Sequence, residues 1–323
     1  MVVARSRVGQ SAATLGILMV TLALVSGCSG QSAASSAPSA ASPAASASAS
    51  TSPSASASAS ASTAASASPA TGVGQELAID VKEYAFAAPA SIPAGPTHIV
   101  VNNVGKEDHQ AQVAQLDDGT TFQDFTTTLQ SGDFPGALSK LQLVGGPTGV
   151  APGSTVATST NLAPGQYVFL CFVQSADGVP HVAKGMISQL DVTSTASTGS
   201  LPAGDSQLAL QDFAFVGSDT LTAGQHTITV TNKGPQIHEA TVVKLNEGVT
   251  VEQLRQAFTA SPAPSGPPPA TGAGGVAGIS PGTTVTMDLD LQPGNYAFIC
   301  FVPDAATGKP HAELGMIRAL TVQ

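Results

Sequence analysis

The chain has 323 residues, 21 of them acidic against 11 basic, for a formal charge of −10, and only 4% are aromatic. Such acidity disfavours nucleic acid and anionic surfaces as partners, and suits either solubility or docking to a basic partner. No phosphate-binding loop, nucleophile elbow, zinc-protease motif or paired-carboxylate signature occurs in a matching context, so those chemistries find no residues here.

Arg5 and Arg7 open the chain with positive charge, and Leu15–Val25 follows as a short apolar core ending in small residues. That is the pattern of an export signal, shorter than a membrane span needs. Leu24-Val25-Ser26-Gly27-Cys28 resembles a bacterial lipobox. The resemblance implies a signal over residues 1–27, a lipid on Cys28 and a protein anchored to the cell membrane on its extracytoplasmic side. An ordinary secretory signal that happens to contain a cysteine is the alternative, and either one exports the chain. Without Arg5 and Arg7 the balance is 9 basic against 21 acidic residues, a formal charge of −12. Residues 28–74 are almost entirely Ser, Ala, Pro and Thr, with no charge. Nothing there offsets the entropy of ordering, so a disordered tether is expected.

From Gln75 the sequence says one thing twice. Tyr84-Ala85-Phe86 aligns with Phe213-Ala214-Phe215, Asn103-Val104-Gly105 with Asn232-Lys233-Gly234, and Leu162-Ala163-Pro164-Gly165 with Leu291-Gln292-Pro293-Gly294. Two domains follow, 75–194 and 205–323, joined at 195–204 within the Thr/Ser/Gly stretch Thr193–Gly204. Each is near the commonest domain size and is expected to bury its own core. Thr97–Val101, His226–Thr231, Ala240–Leu245, Thr283–Leu291 and Tyr296–Val302 read as strands ending at Asn, Gly or Pro turns. One short helix is predicted per copy, over Asp118–Leu129 and over Val251–Phe258, where Val251, Leu254 and Phe258 share a face. The Pro-rich Ser261–Pro269 reads as a stiff loop. Many short strands between Gly/Pro turns make each copy an all-β sandwich.

The chemistry lies in the repeated block. Gly165-Gln166-Tyr167-Val168-Phe169-Leu170-Cys171-Phe172-Val173, followed by Pro180-His181 and Gly185-Met186, recurs as Gly294-Asn295-Tyr296-Ala297-Phe298-Ile299-Cys300-Phe301-Val302, Pro310-His311 and Gly315-Met316. In both copies another histidine, His109 or His238, stands 62 positions before the cysteine. A soft thiolate, two imidazoles and a thioether form a donor set suited to copper in electron transfer. Taken singly, such residues are core or surface filler, and Cys171 and Cys300 could instead pair as an interdomain disulfide in an oxidising compartment.

Both copies resemble the cupredoxins, the blue copper fold, in the four-residue pattern and the Tyr-x-Phe-x-Cys strand before it. The resemblance implies two tandem Greek-key sandwiches, each with a type 1 copper site: His109, Cys171, His181 and Met186 in the first, His238, Cys300, His311 and Met316 in the second. Histidine to methionine is five positions in both, whereas cysteine to histidine is ten in the first and eleven in the second, which leaves that loop's geometry open. Phe172 and Phe301 are expected to shield the sulfur from water. Asp108 and Glu239 adjoin the upstream histidines, either contacting the ligands or simply solvated, and His98 and His226 are expected on exposed strand faces.

Enzymatic relatives of this fold need a second copper centre built from further histidines. Here the cysteines are flanked by Leu170, Phe172, Ile299 and Phe301, no His-x-His pair exists, and only two histidines lie outside the proposed sites. The reading is a non-enzymatic electron carrier. A copper-handling lipoprotein without redox turnover and a metal-free adhesion or ligand-binding module are the alternatives.

Overall fold

The computed structural model describes residues 74–259 and 268–323. The signal, Cys28, nearly all of the tether and most of Ser261–Pro269 lie outside them. Among the described residues no helix is long and apolar enough to cross a membrane.

The first half runs β1 (Gln75–Lys82), β2 (Ala85–Ala87), β3 (Ser91–Asn103), β4 (Gln112–Leu116), α1 (Phe122–Gln130), α2 (Phe134–Leu138), β5 (Leu141–Leu143), β6 (Thr155–Leu162), β7 (Gly165–Leu170) and β8 (Ile187–Ala196). The second runs β9 (Ser206–Gln211), β10 (Ala214–Gly217), β11 (Thr220–Leu221), β12 (Gly224–Asn232), β13 (His238–Leu245), α3 (Val251–Thr259), β14 (Ala270–Ile279), β15 (Thr284–Leu291), β16 (Gly294–Ile299) and β17 (Ile317–Val322). The chain is thus mostly β with a few short helices, and each half is a pair of sheets.

In the first half β2-β1-β3-β6 faces a sheet in which the start of β3 continues through β8, β7, β4 and β5. In the second, β10-β9-β12-β15 faces β11-β17-β16-β13-β14. Alternation decides what lies between them. Along β1, Leu77, Ile79 and Val81 are buried while their neighbours face solvent, and each such side chain contributes about 1.5–3 kcal/mol. They meet Ile99, Val101, Phe169 and Leu190 in one core, and Leu208, Leu210, Val230, Phe298 and Leu320 form its equivalent.

The helices cover the outer faces, with Phe125 buried beneath α1 and Leu254 beneath α3. The first half has two α-helices rather than the single one predicted over 118–129. The first starts only at Phe122, because Asp117–Thr120 forms a turn with Gly119 at φ 82° and Thr121 caps the helix with Asp124 in a capping box. The second escapes notice because Phe134-Pro135-Gly136 looks like a turn, yet Asp133 accepts from the Gly136 N–H and proline near the helix start removes no needed donor.

The halves share backbone. Strands β6 and β15 pair antiparallel, with Thr158 opposite Met287. Segment 144–148 pairs with 275–279 through Gly145 N–H to Gly278 O (3.1 Å), Ala277 N–H to Gly146 O (2.8 Å) and Thr148 N–H to Gly275 O (3.2 Å). The repeat offset of 129 positions relates Thr158 to Met287 and Gly146 to Gly275. The last two bonds therefore exchange under the repeat, as in an isologous dimer interface. His98, expected on an exposed face, is half-buried at this seam, bonded to Ser159 Oγ at 3.0 Å and 3.7 Å from Asp288. His226 is likewise mostly covered, held by Asp205 and the Thr222 carbonyl.

Candidate metal centres

Cys171 and Cys300 follow the last residues of β7 and β16, where four consecutive buried positions end each strand. The chain turns back there. His181 N–H donates to Val173 O (2.8 Å), Val182 N–H to Cys171 O (2.8 Å) and Met186 N–H to His181 O (2.9 Å), and His311, Ala312 and Met316 repeat these bonds to Val302, Cys300 and His311. Gly185 and Gly315 close the turn at φ 96° and 112°, a conformation open to glycine. This fixes the five-residue spacing from histidine to methionine. The extra residue of the second loop lies in a hairpin tip beyond the bridges Gln174–Pro180 and Pro303–Pro310, so it does not reach the ligands.

The upstream histidines arrive beside the cysteine strand, His109 in a bridge to Val150 just before β4 and His238 as the first residue of β13. Asn103 Nδ2 donates to the carbonyls of Glu107 and Val150, and Asn232 Nδ2 to those of Gln236 and Ile279, tying down the residues that lead into His109 and His238.

In the first centre His109 Nδ1 and His181 Nδ1 are 3.1 Å apart, and Cys171 Sγ is 3.9 and 3.4 Å from them. In the second, His238 Nδ1 and His311 Nδ1 are 3.0 Å apart, and Cys300 Sγ is 4.0 and 3.5 Å away. All six side chains are fully buried. Met186 and Met316 are fully buried in the same cores as the cysteines. The expected residues are therefore brought together in two His-Cys-His-Met groups. Both cysteines are free thiols, each in its own centre, which removes the disulfide alternative.

The donors fit a copper ion. Edges of 3–4 Å suit three atoms sharing one first-row ion at about 2.0–2.3 Å. His181 Nε2–H donates to Glu107 Oε2 (2.7 Å), and His238 Nε2–H to Asp212 Oδ1 (2.9 Å), so each of these rings turns a bare Nδ1 lone pair inward. Each Sγ accepts a backbone N–H, from Gln110 and from Glu239, at 3.5 Å. A thiolate, two imidazoles and a nearby thioether is a copper-selective donor set.

Burial disfavours charge on several side chains of the metal-free centres. Burial and the adjacent imidazole hold His109 and His311 down to about 4, and burial lowers His238. Burial pushes the Cys171 thiol up to about 12, and burial followed by the neighbouring Glu239 raises Cys300 too. Unfolded histidine (about 6.5) takes a proton before the folded rings do, and unfolded cysteine (about 8.5) loses one before the folded thiols do. Stability of the metal-free protein should therefore fall as the pH drops from about 6.5 towards 4, and fall again as it rises above about 8.5. His109 and His311 should each contribute roughly 1–3 kcal/mol to the acid limb. Urea unfolding across this range checks it, and a flat profile from pH 8 to 4.5 would contradict it.

Several surrounding residues differ from expectation. Phe172 joins the outer cluster beneath α1 and α2, and Phe301 is 39% exposed and packs against Phe258. Successive strand residues point to opposite faces, so neither phenylalanine shares the face of its cysteine. Rings do shield the centres, but from elsewhere: Tyr84 stands edge-on to His181 at 5.1 Å and Phe213 edge-on to His311 at 5.4 Å. Asp108 is exposed. Glu239 is buried, accepting from Phe301 N–H, and burial raises its carboxyl to about 7, where the first centre has neutral Gln110. The acids that touch the ligands, Glu107 and Asp212, were not singled out in the sequence.

No family model and no curated protein sequence matches the chain. Among solved structures it is similar to auracyanin from Roseiflexus castenholzii, with 23% identity over 36% of this chain and 94% of that one (TM-score 0.25). It is similar also to auracyanin A, a "blue" copper protein from Chloroflexus aurantiacus, with 20% identity over 36% and 99% (TM-score 0.24). A copper-containing nitrite reductase from Thermus scotoductus is 15% identical over 77% of this chain and 61% of its own (TM-score 0.22).

Proposed function

We propose that the protein is an exported carrier of single electrons, tethered to the membrane through Cys28, with one type 1 copper in each half. The observation that carries this reading is the twofold convergence of a buried thiol sulfur and two inward-facing Nδ1 atoms within 4.8 Å of one another. Copper held by such a set exchanges one electron with little rearrangement, and a weak axial thioether tunes its potential. Glu107 and Asp212 hold the tautomer of one imidazole in each centre, His181 and His238, while full burial keeps water from the sulfur.

The carrier role, as opposed to catalysis, is supported by the remaining histidines. His98 and His226 are bonded to Ser159 and to Asp205 and Thr222, away from either centre. Export and lipid anchoring rest on the signal and lipobox pattern. The acidic chain suits a basic redox protein as partner, and nucleic acid is not one.

The test is a cupric titration of the purified protein. Two equivalents should bind with intense thiolate charge-transfer colour, and voltammetry should give two unequal waves because Glu239 replaces Gln110 beside the second sulfur. A colourless protein holding stoichiometric cuprous ion would favour copper handling, and no binding would end both copper readings.

A further inference from the structure

Tyr84 (φ 60°) and Phe213 (φ 63°) are the non-glycine residues with positive φ among those described. They occupy equivalent places in the repeat, in the turns that join β1 to β2 and β9 to β10. Bulky residues pay for this conformation where glycine would not, and such strain gathers at functional positions. The residue before each is an acid. Glu83 Oε1 lies 4.0 Å from His109 Nε2, and Asp212 Oδ1 lies 2.9 Å from His238 Nε2. The strained ring meets the other ligand, Tyr84 on His181 and Phe213 on His311. Two consecutive residues thus bond one imidazole and pack on the other in the second centre, and in the first the ring packs in the same way while the acid stands 4.0 Å from a His109 Nε2 that has no hydrogen-bond partner.

The surroundings leave room for that contact. A Cβ on Gly234 would lie 2.7 Å from both Asp212 Oδ1 and His238 Nε2, and one on Gly105 would lie 2.7 Å from Glu83 Oε1. Neither glycine has a positive φ, so space alone accounts for them. Backbone N–H groups of Lys106 and Glu107 donate to Glu83, and Gln236 donates to Asp212. Both carboxyl groups are thereby fixed in place.

We propose that Glu83–Tyr84 and Asp212–Phe213 are clamps over the metal centres, in which the acid faces the upstream imidazole, bonded to it only in the second centre, and the ring closes the loop imidazole off from solvent. Their role is to retain the ion. This rests on the copper reading above. The clamps are unequal, because Tyr84 Oη bonds Ser175 Oγ (3.0 Å) and accepts from Lys184 Nζ (3.1 Å), both on the loop that carries His181. Phe213 has no hydroxyl to do the same. The first centre should therefore hold its ion longer than the second.

The test is copper removal by excess chelator, followed in Cys171→Ser and Cys300→Ser backgrounds so that one centre reports at a time. Phe213→Gly removes the ring and relieves the backbone, and should speed release from the second centre at least tenfold, with Phe213→Tyr restoring slow release. Gly234→Ala should also speed it, and Tyr84→Phe should bring the first centre's rate towards the second's. In the metal-free protein, imidazole 15N shifts should report His238 as the Nε2–H tautomer, a state lost in Asp212→Ala. Normal copper loading with wild-type release in Phe213→Gly and Tyr84→Phe, or an unchanged His238 tautomer in Asp212→Ala, overturns the clamp alone. A wild-type protein that binds no copper overturns the copper reading and the clamp with it.

Discussion

Cys171→Ser is expected to remove the charge-transfer colour of the first centre and leave the second, Cys300→Ser the reverse, and the double variant should be colourless. Proton release should fall in step. At pH 7 His109 and His311 are already neutral, since burial holds them near 4, whereas the Cys171 thiol, raised to about 12, still carries its proton. Each cupric ion must therefore displace about one proton, from sulfur, and the apparent affinity should rise about tenfold per pH unit between pH 5 and 8. Below about pH 5 the slope should steepen as the proton begins to compete for nitrogen. Calorimetry in two buffers of different ionisation enthalpy counts these protons. Two per wild-type chain and one per single variant is the expected result. Copper bound without proton release would mean that the thiols are not ligands.

The eight ligand residues were legible because cysteine, histidine and methionine are rare in this chain and recur at matched spacing. Periodicity alone would not have found them. The strands were legible for the ordinary reason that β-branched residues alternate between turn residues, as along β12. What surrounds the ligands was harder to see. Phe172 and Phe301 adjoin the cysteines in sequence, but the twofold strand period puts them on the opposite face. Glu107 has no acidic counterpart, since Gln236 aligns with it, so repetition gave no signal there. Glu83 and Asp212 do align, directly before the matched Tyr84 and Phe213. An acid kept at equivalent turns was the available clue. The seam was hidden because Gly145-Gly146-Pro147 and Gly274-Gly275 read as loop, although the glycines are there to let backbones approach.

That close approach makes Gly146 and Gly275 the positions where one methyl group should do most damage. They are equivalent in the repeat. A Cβ on Gly146 would lie 2.0 Å from Ala111 O, and one on Gly275 would lie 2.2 Å from Ala240 O. Both obstacles are backbone carbonyls two residues beyond an upstream ligand, His109 or His238, and neither can swing aside as a side chain would. Gly146 O and Gly275 O also accept the two exchanged bonds of the seam. With φ at 107° and 130° the substitution is strained as well. Gly146→Ala and Gly275→Ala should each cost about 3 kcal/mol or more, loosen the seam and weaken copper binding in the half whose histidine is displaced. Gly132→Ala separates clash from strain. Its φ is 84°, but nothing lies within 4 Å of the added carbon, so only about 1 kcal/mol is expected from the left-handed backbone. Urea midpoints of the three variants, with a copper titration of each, make the comparison. Equal losses in all three would show that backbone strain outweighs the contact with Ala111 and Ala240.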